Sequence, residues 1–182
     1  MMLVESLLFV ADEPVTAARL AAALGVDVSE VDLALAELGR RRQSHGIRLQ
    51  QKGDRVQLVT MPEAAAAIER FLGLEVSPRL SPAALETLAM IAYREPITRT
   101  QLEAVRGVNC DGVLRTLLSR GLIEEQGRLE AVGRPILYGT TFEFLQYFGL
   151  TQLDQLPALP DDTAAELGAR VAQVQQIDKD GA

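Results

Sequence analysis

Apolar residues recur along the first forty positions at intervals of three and four, interrupted by glycine or proline, and the period then drops to two. Leu3, Leu7, Leu8 and Ala11 fall on one helical stripe. A second helix is predicted from Thr16, as its cap, to Leu24, with Gly25 placed to stop it. Ser29 and Asp32 give the Ser-x-x-Asp start of a third helix, whose apolar line Val31, Ala34, Leu35, Leu38 runs to about Gln43. Ile47-Arg48-Leu49-Gln50 and Arg55-Val56-Gln57-Leu58 then alternate around Lys52-Gly53-Asp54, which predicts a β-hairpin with a glycine-containing loop.

The same order returns later in the chain. A shift that places Glu13 on Glu95 also places Pro14 on Pro96, Thr16 on Thr98, Leu20 on Leu102, Ala22 on Ala104, Gly25 on Gly107 and Val26 on Val108. Those seven identities fall in the fourteen positions 13–26, where ordinary residue frequencies give roughly one. The register continues through Val31 with Val113, Leu35 with Leu117 and Gly39 with Gly121, and back to Leu3 with Leu85. The second copy adds clearer punctuation. Ser81 caps a helix with Pro82 in its first turn, running to Tyr93; Thr98-x-x-Gln101 opens a helix to Arg106; and a third helix is predicted from about Cys110 to Arg120. Two strands follow, around Gln126-Gly127 and through Ile136-Leu137-Tyr138.

Three helices followed by a hairpin is the order of a winged helix. The predicted fold is α+β and mainly helical: two tandem winged-helix domains, each of three helices and a β-hairpin wing, at 1–77 and 78–156. Residues 62–72 read as a bridging helix and 73–82 as a linker. The segment 157–182 carries two basic and five acidic residues and few large apolar side chains after Leu167, so disorder or loose helix is expected there.

Charge bears directly on function. The net charge is -7, divided as -3 over 1–77, -1 over 78–156 and -3 over the tail. A reader of DNA neutralises phosphates with clustered Lys and Arg and sends the start of its third helix to the base edges. Here those starts carry Glu30 and Asp32, and then Asp111, which flanking phosphates repel. Arg40-Arg41-Arg42 is the one basic run, extendable by Arg48 and Arg55. It reads either as cations at a helix C-terminus or as a DNA-proximal patch of weak affinity. A winged-helix transcription regulator is therefore the alternative reading, with direct DNA binding weak or absent in the preferred one.

Catalytic and metal chemistry find little to work with. His45 is the single histidine and Cys110 the single cysteine, so metal-ligand spacing, an intrachain disulfide and a Ser/His/Asp set are absent. Cys110 sits near a helix start, where it is read as a small buried residue in preference to a reactive thiol. Gly133-Arg134-Pro135 lacks the Lys-Ser/Thr of a phosphate loop and reads as a turn. No enzyme activity, cofactor, metal or small-molecule substrate is expected. The N-terminal MMLVESLLFVADEP lacks the basic start and cleavage site of a secretory signal, and no run of eighteen apolar residues occurs; the expectation is a soluble cytoplasmic protein without a membrane partner.

One helix is apolar on more than one stripe: Leu85-Glu86-Thr87-Leu88-Ala89-Met90-Ile91-Ala92-Tyr93. Either this surplus packs against the bridging helix or the first domain, or it forms a docking groove for a partner's helix with Met90 and Tyr93 as adaptable contacts.

The runs "RGVNCDGVLRTLL" and "GRPILYGTT", in this order and spacing, resemble those of the segregation and condensation protein B family, and the likeness extends over roughly residues 1–156. The resemblance implies a non-enzymatic subunit of the bacterial SMC chromosome complex, nucleoid-associated through that complex. It implies a homodimer formed by N-terminal domains, with C-terminal domains gripping the kleisin, segregation and condensation protein A, and reaching the SMC ATPase through it. The positions matching the family motifs are Arg106, Gly107, Val108, Asn109, Asp111 and Gly112, then Gly133, Arg134, Pro135, Tyr138 and Gly139. Cys110 stands where a small polar residue, usually serine, is expected. Gly107 and Asn109 also have local duties, as a helix stop and a cap for the next helix. The candidate partner-binding residues are Leu88, Met90, Ile91, Tyr93, Arg106, Asn109, Asp111, Arg134 and Tyr138.

Overall fold

The computed structural model describes residues 1–73 and 79–180. The expected linker therefore lies partly outside the described residues. The chain forms two compact units, Met1–Ser77 with Leu145–Gln155, and Pro78–Phe144 with Leu156–Ala182. Two segments thus group differently from the sequence reading: 145–155 packs with the first unit, and the tail packs with the second.

In unit one, α1 (Met2–Val10), α2 (Ala17–Leu24) and α3 (Val28–Arg42) precede the strands β2 (Ile47–Lys52) and β3 (Arg55–Thr60). A two-residue strand β1 (Val15–Thr16), not anticipated, adds to the wing, giving an antiparallel sheet of order β1-β3-β2 with Val15 opposite Val56. Thr16 caps α2, accepting from the Arg19 amide at 3.2 Å, and Gly25 ends it at φ 67°. The start of α3 differs from expectation. Asp27 is its N-cap, with the Asp27 amide donating to Glu30 Oε1 at 3.4 Å, so Val28 and Ser29 are already helical. Val4, Leu8, Leu20, Val31, Leu35, Leu38 and Val56 form the core. Leu3, placed on the core stripe from its spacing, is exposed, and Val4 takes the inward position. A 3₁₀ turn (Pro62–Ala64) and α4 (Ala65–Leu72) form the bridging helix.

Unit two repeats the plan with α5 (Pro82–Arg94), β4 (Ile97–Thr98), α6 (Arg99–Arg106), α7 (Asp111–Ser119), β5 (Ile123–Arg128) and β6 (Ile136–Thr140). Its sheet order, β4-β6-β5, is the same, and Ile97 faces Tyr138. The repeat thus holds in sheet register: 15 and 56 shifted by 82 become 97 and 138, although Val56 and Tyr138 share no chemistry. The Thr98–Gln101 capping box closes with bonds of 2.9 and 3.3 Å, and Gly107 ends α6 at φ 70°. Leu88, Ile91, Ile97, Leu102 and Leu117 are fully buried. Both units are winged helices.

The copies part at matching glycines. Gly121 is left-handed, φ 66°, and ends the helix before β5. Gly39 stays helical, because the arginines that follow it are good helix formers, and α3 continues to Arg42. After the short α8 (Phe142–Tyr147), the segment expected to be disordered or loosely helical contains α9, Asp161–Asp180. Its start is favoured by Asp161 and Asp162 at the positive end of the helix dipole.

Candidate partner-binding surfaces

The two apolar stripes of α5 have different fates. Leu88 and Ile91 are fully buried in the unit-two core, so their side chains are packed within their own unit. Tyr138 is likewise buried in the sheet; burial, with the Glu125 carboxylate adding to it, raises its phenol pKa. The other stripe, Glu86, Ala89, Met90 and Tyr93 at helical spacing, lines a cavity of about 390 Å³ with Val105 of α6 and four tail residues, Leu159, Thr163, Leu167 and Arg170. The tail crosses this face. Tyr93 Oη donates to the Pro157 carbonyl at 2.6 Å, Arg94 Nη2 to the Ala164 carbonyl at 2.5 Å, and Arg170 Nη1 to the Val105 carbonyl at 3.0 Å. Within unit two, then, α9 covers the surplus stripe, an arrangement neither sequence alternative included.

The RGVNCDG run is a connector between α6 and α7. Asn109 and Asp111 bond reciprocally: the Asp111 amide donates to Asn109 Oδ1 at 3.0 Å, and Asn109 Nδ2 donates to Asp111 Oδ2 at 3.4 Å. Asn109 serves the helix start as expected, from one residue ahead of the N-cap, Cys110. Arg99 Nη1 lies 2.5 Å from Asp111 Oδ1, and the bond from Arg99, then that from Asn109, lowers the Asp111 pKa. Cys110 is fully buried, its amide donating to Glu103 Oε1 at 3.0 Å. Arg106, with its side chain 9% exposed, reaches Glu86 at 3.4 Å. Arg106, Asn109 and Asp111 are therefore joined to their own unit before any partner is considered.

In the second motif Gly133 and Arg134 both have positive φ, 78° and 43°. The Arg134 carbonyl accepts from Arg128 Nη1 at 3.0 Å, and its exposed guanidinium lies 3.7 Å from Glu130. The turn shapes the wing tip and presents Arg134 outward.

In unit one the basic run is ion-paired internally. Glu37 takes both Arg40 and Arg41, and hydrogen bonding from Arg41, followed by the charge of Arg40, lowers its pKa. Arg42 pairs with Glu5 of α1, and Arg48 bonds Glu63 at 3.1 Å. The neighbouring surface is apolar instead. Met2, Leu3, Phe9 and Val10 share one arc of α1, opposite Val4 and Leu8, and Phe9 is 81% exposed. The three- and four-residue spacing picks out one stripe on α1; the exposed arc is a second, carried by MMLV and FV.

Among the described residues no group of His, Cys, Asp and Glu is placed to hold a metal, and no helix is long and apolar enough to cross a membrane.

These features define a tandem winged-helix protein with acidic residues at the heads of its third helices and apolar helix faces on both units. The family model for segregation and condensation complex subunit ScpB matches residues 2–159, and the chain belongs to that family. Segregation and condensation protein B of Moorella thermoacetica is 52% identical over 92% of this chain and 87% of its own. The crystal structure of ScpB from Mycobacterium tuberculosis is 41% identical, covers 82% of this chain and 94% of its own, and superposes with a TM-score of 0.41. A crystal structure of a dimer of the ScpB N-terminal domain with an ScpA peptide is 30% identical over 38% of this chain and 90% of its own, with a TM-score of 0.36.

Proposed function

We propose that this chain is a non-enzymatic subunit of a bacterial SMC–kleisin complex for chromosome condensation and segregation. It pairs with a second copy through unit one, binds the kleisin ScpA through unit two, and reaches the SMC ATPase and the nucleoid only through that partner. The observation that carries the reading is the groove beside α5, where Met90, Tyr93 and Val105 form an apolar floor of the kind that takes a partner's helix. The exposed arc of α1 is the pairing surface: four apolar side chains on one helix face form a contiguous patch of the kind that marks protein interfaces. Arg134, at the wing tip, is a rim contact. Two copies related by a twofold axis present two grooves to one kleisin, and the second engagement is intramolecular.

Co-expression with ScpA followed by affinity purification tests the partner. Met90→Glu should abolish retention, and unchanged retention would remove the groove from the mechanism. Light scattering should give about twice the chain mass of 19.8 kDa. Phe9→Glu should return the monomer mass, and a dimer that survives it places the pairing surface elsewhere.

A further inference from the structure

The groove beside α5 is occupied in the free chain, and the occupant fits it poorly. Val171 is buried, yet a cavity of about 390 Å³ remains between the α9 side and Met90 and Tyr93. Gly168 lies inside α9, where it weakens a helix by about 1 kcal/mol relative to alanine. It sits against Arg94: a Cβ at 168 would come within 3.2 Å of Arg94 Nη2. The tail thus gives up helix stability where it meets the arginine. Arg94 itself is half-used. One Nη donates to the Ala164 carbonyl, but its buried Nε has no acceptor among the described residues. A backbone carbonyl meets one donor of a guanidinium fork, whereas a carboxylate meets two.

We propose that α9 is a displaceable plug of the α5–α6 groove. The segment that replaces it is an amphipathic helix with apolar residues for Met90 and Tyr93 and a carboxylate for Arg94. This rests on the reading that ScpA docks in that groove. An occupied groove lowers apparent affinity by the fraction of molecules in which it is open, so freeing it strengthens binding without any new contact.

The test titrates labelled ScpA against the full-length chain and against Leu167→Asp/Val171→Asp, which expels the apolar side of α9. Binding should tighten about three- to tenfold, the gain expected if the groove is open in roughly a tenth to a third of molecules. Equal affinities would overturn the plug while leaving the docking reading intact. Weaker binding by the variant would make α9 part of the bound surface and overturn the plug as well. No binding by either chain would defeat the docking reading and the plug with it. Hydrogen exchange on the unmodified chain gives an independent check: ScpA should speed exchange over 161–172 while slowing it in α5 and α6, and unchanged exchange in α9 overturns the proposal. In the released background, Arg94→Met should weaken ScpA binding about tenfold, the scale of a lost charge-assisted pair; no change would overturn the carboxylate assignment.

Discussion

Arg99, the first residue of α6, donates to Asp111, the first residue of α7, across 2.5 Å. This pair occupies the head of the third helix of unit two. In a DNA reader that position faces base edges. Here its carboxylate is held by a guanidinium one helix away and by Asn109, so its charge is already matched within the α6–α7 connector.

A pH dependence follows from that pair. The Asp111 carboxyl is held below the ordinary aspartate value of 3.8, chiefly by the Arg99 hydrogen bond. A carboxylate whose folded pKa is depressed contributes stability that is whole above its unfolded pKa and is lost as pH falls through the folded one. The contribution is therefore complete at neutral pH and fades only below about pH 4. Asp111→Asn should remove it at neutral pH and flatten the acid limb attributable to this site. Carboxyl NMR titration of the unmodified chain should place the Asp111 midpoint below 3.8; a midpoint at or above that value contradicts the pairing.

The repeat supplies a matched pair of backbone tests. Gly25 and Gly107 end equivalent helices in the left-handed region, at φ 67° and 70°, and a Cβ at either would meet nothing within 4 Å. Only backbone conformation is then at stake, and alanine should cost about 1 kcal/mol at each site. Chemical denaturation should show each substitution lowering the transition of its own unit, with the two effects adding in the double variant. A loss confined to one site would mean that the two helix ends are not equivalent.

What was legible in the sequence was local. The Thr98–Gln101 capping box, the glycine stops and the hairpins rest on contacts a few residues apart, and the structure carries them out with the spacing the chain displays. The misplacements arose where tertiary packing chooses between equal options. Asp27 and Ser29 each begin a cap-like pattern, and the reciprocal box between Asp27 and Glu30 closes at the earlier one. α1 has apolar residues on two arcs, so spacing could not say whether Leu3 or Val4 points inward. Likewise α5 offers two stripes, of which Leu88 and Ile91 became core. The tail contact was hidden for a different reason: its apolar residues Leu159, Leu167 and Val171 are sparse, and the bonds from Tyr93 and Arg94 go to backbone carbonyls of the tail, which no side-chain pattern announces.

The two stripes of α5 should separate under mutation. Leu88→Ala removes a fully buried side chain and should cost about 2–5 kcal/mol of unit-two stability. Met90→Ala lies on the cavity-lining stripe and should cost less than about 1 kcal/mol, as substitutions outside a packed core do. Thermal or denaturant unfolding measures both. Comparable losses would place Met90 in the core and dismiss the stripe as a docking floor.

The arginine run offers the last discrimination, between a phosphate-binding patch and internal ion pairs. Arg42 reaches Glu5 from the end of α3, with both side chains only about a third exposed, and so ties the extension unique to unit one back onto α1. A double-mutant cycle over Arg42→Ala and Glu5→Ala should give a coupling of about 0.5–1 kcal/mol, near the upper range for such pairs because solvent screens this one less. If the run instead served DNA, coupling would be near zero, and replacing Arg40 and Arg41 would abolish a salt-sensitive gel shift by the unmodified protein. We expect no such shift at physiological salt, because Glu37 holds both arginines and a net charge of -7 repels the duplex before they could reach it.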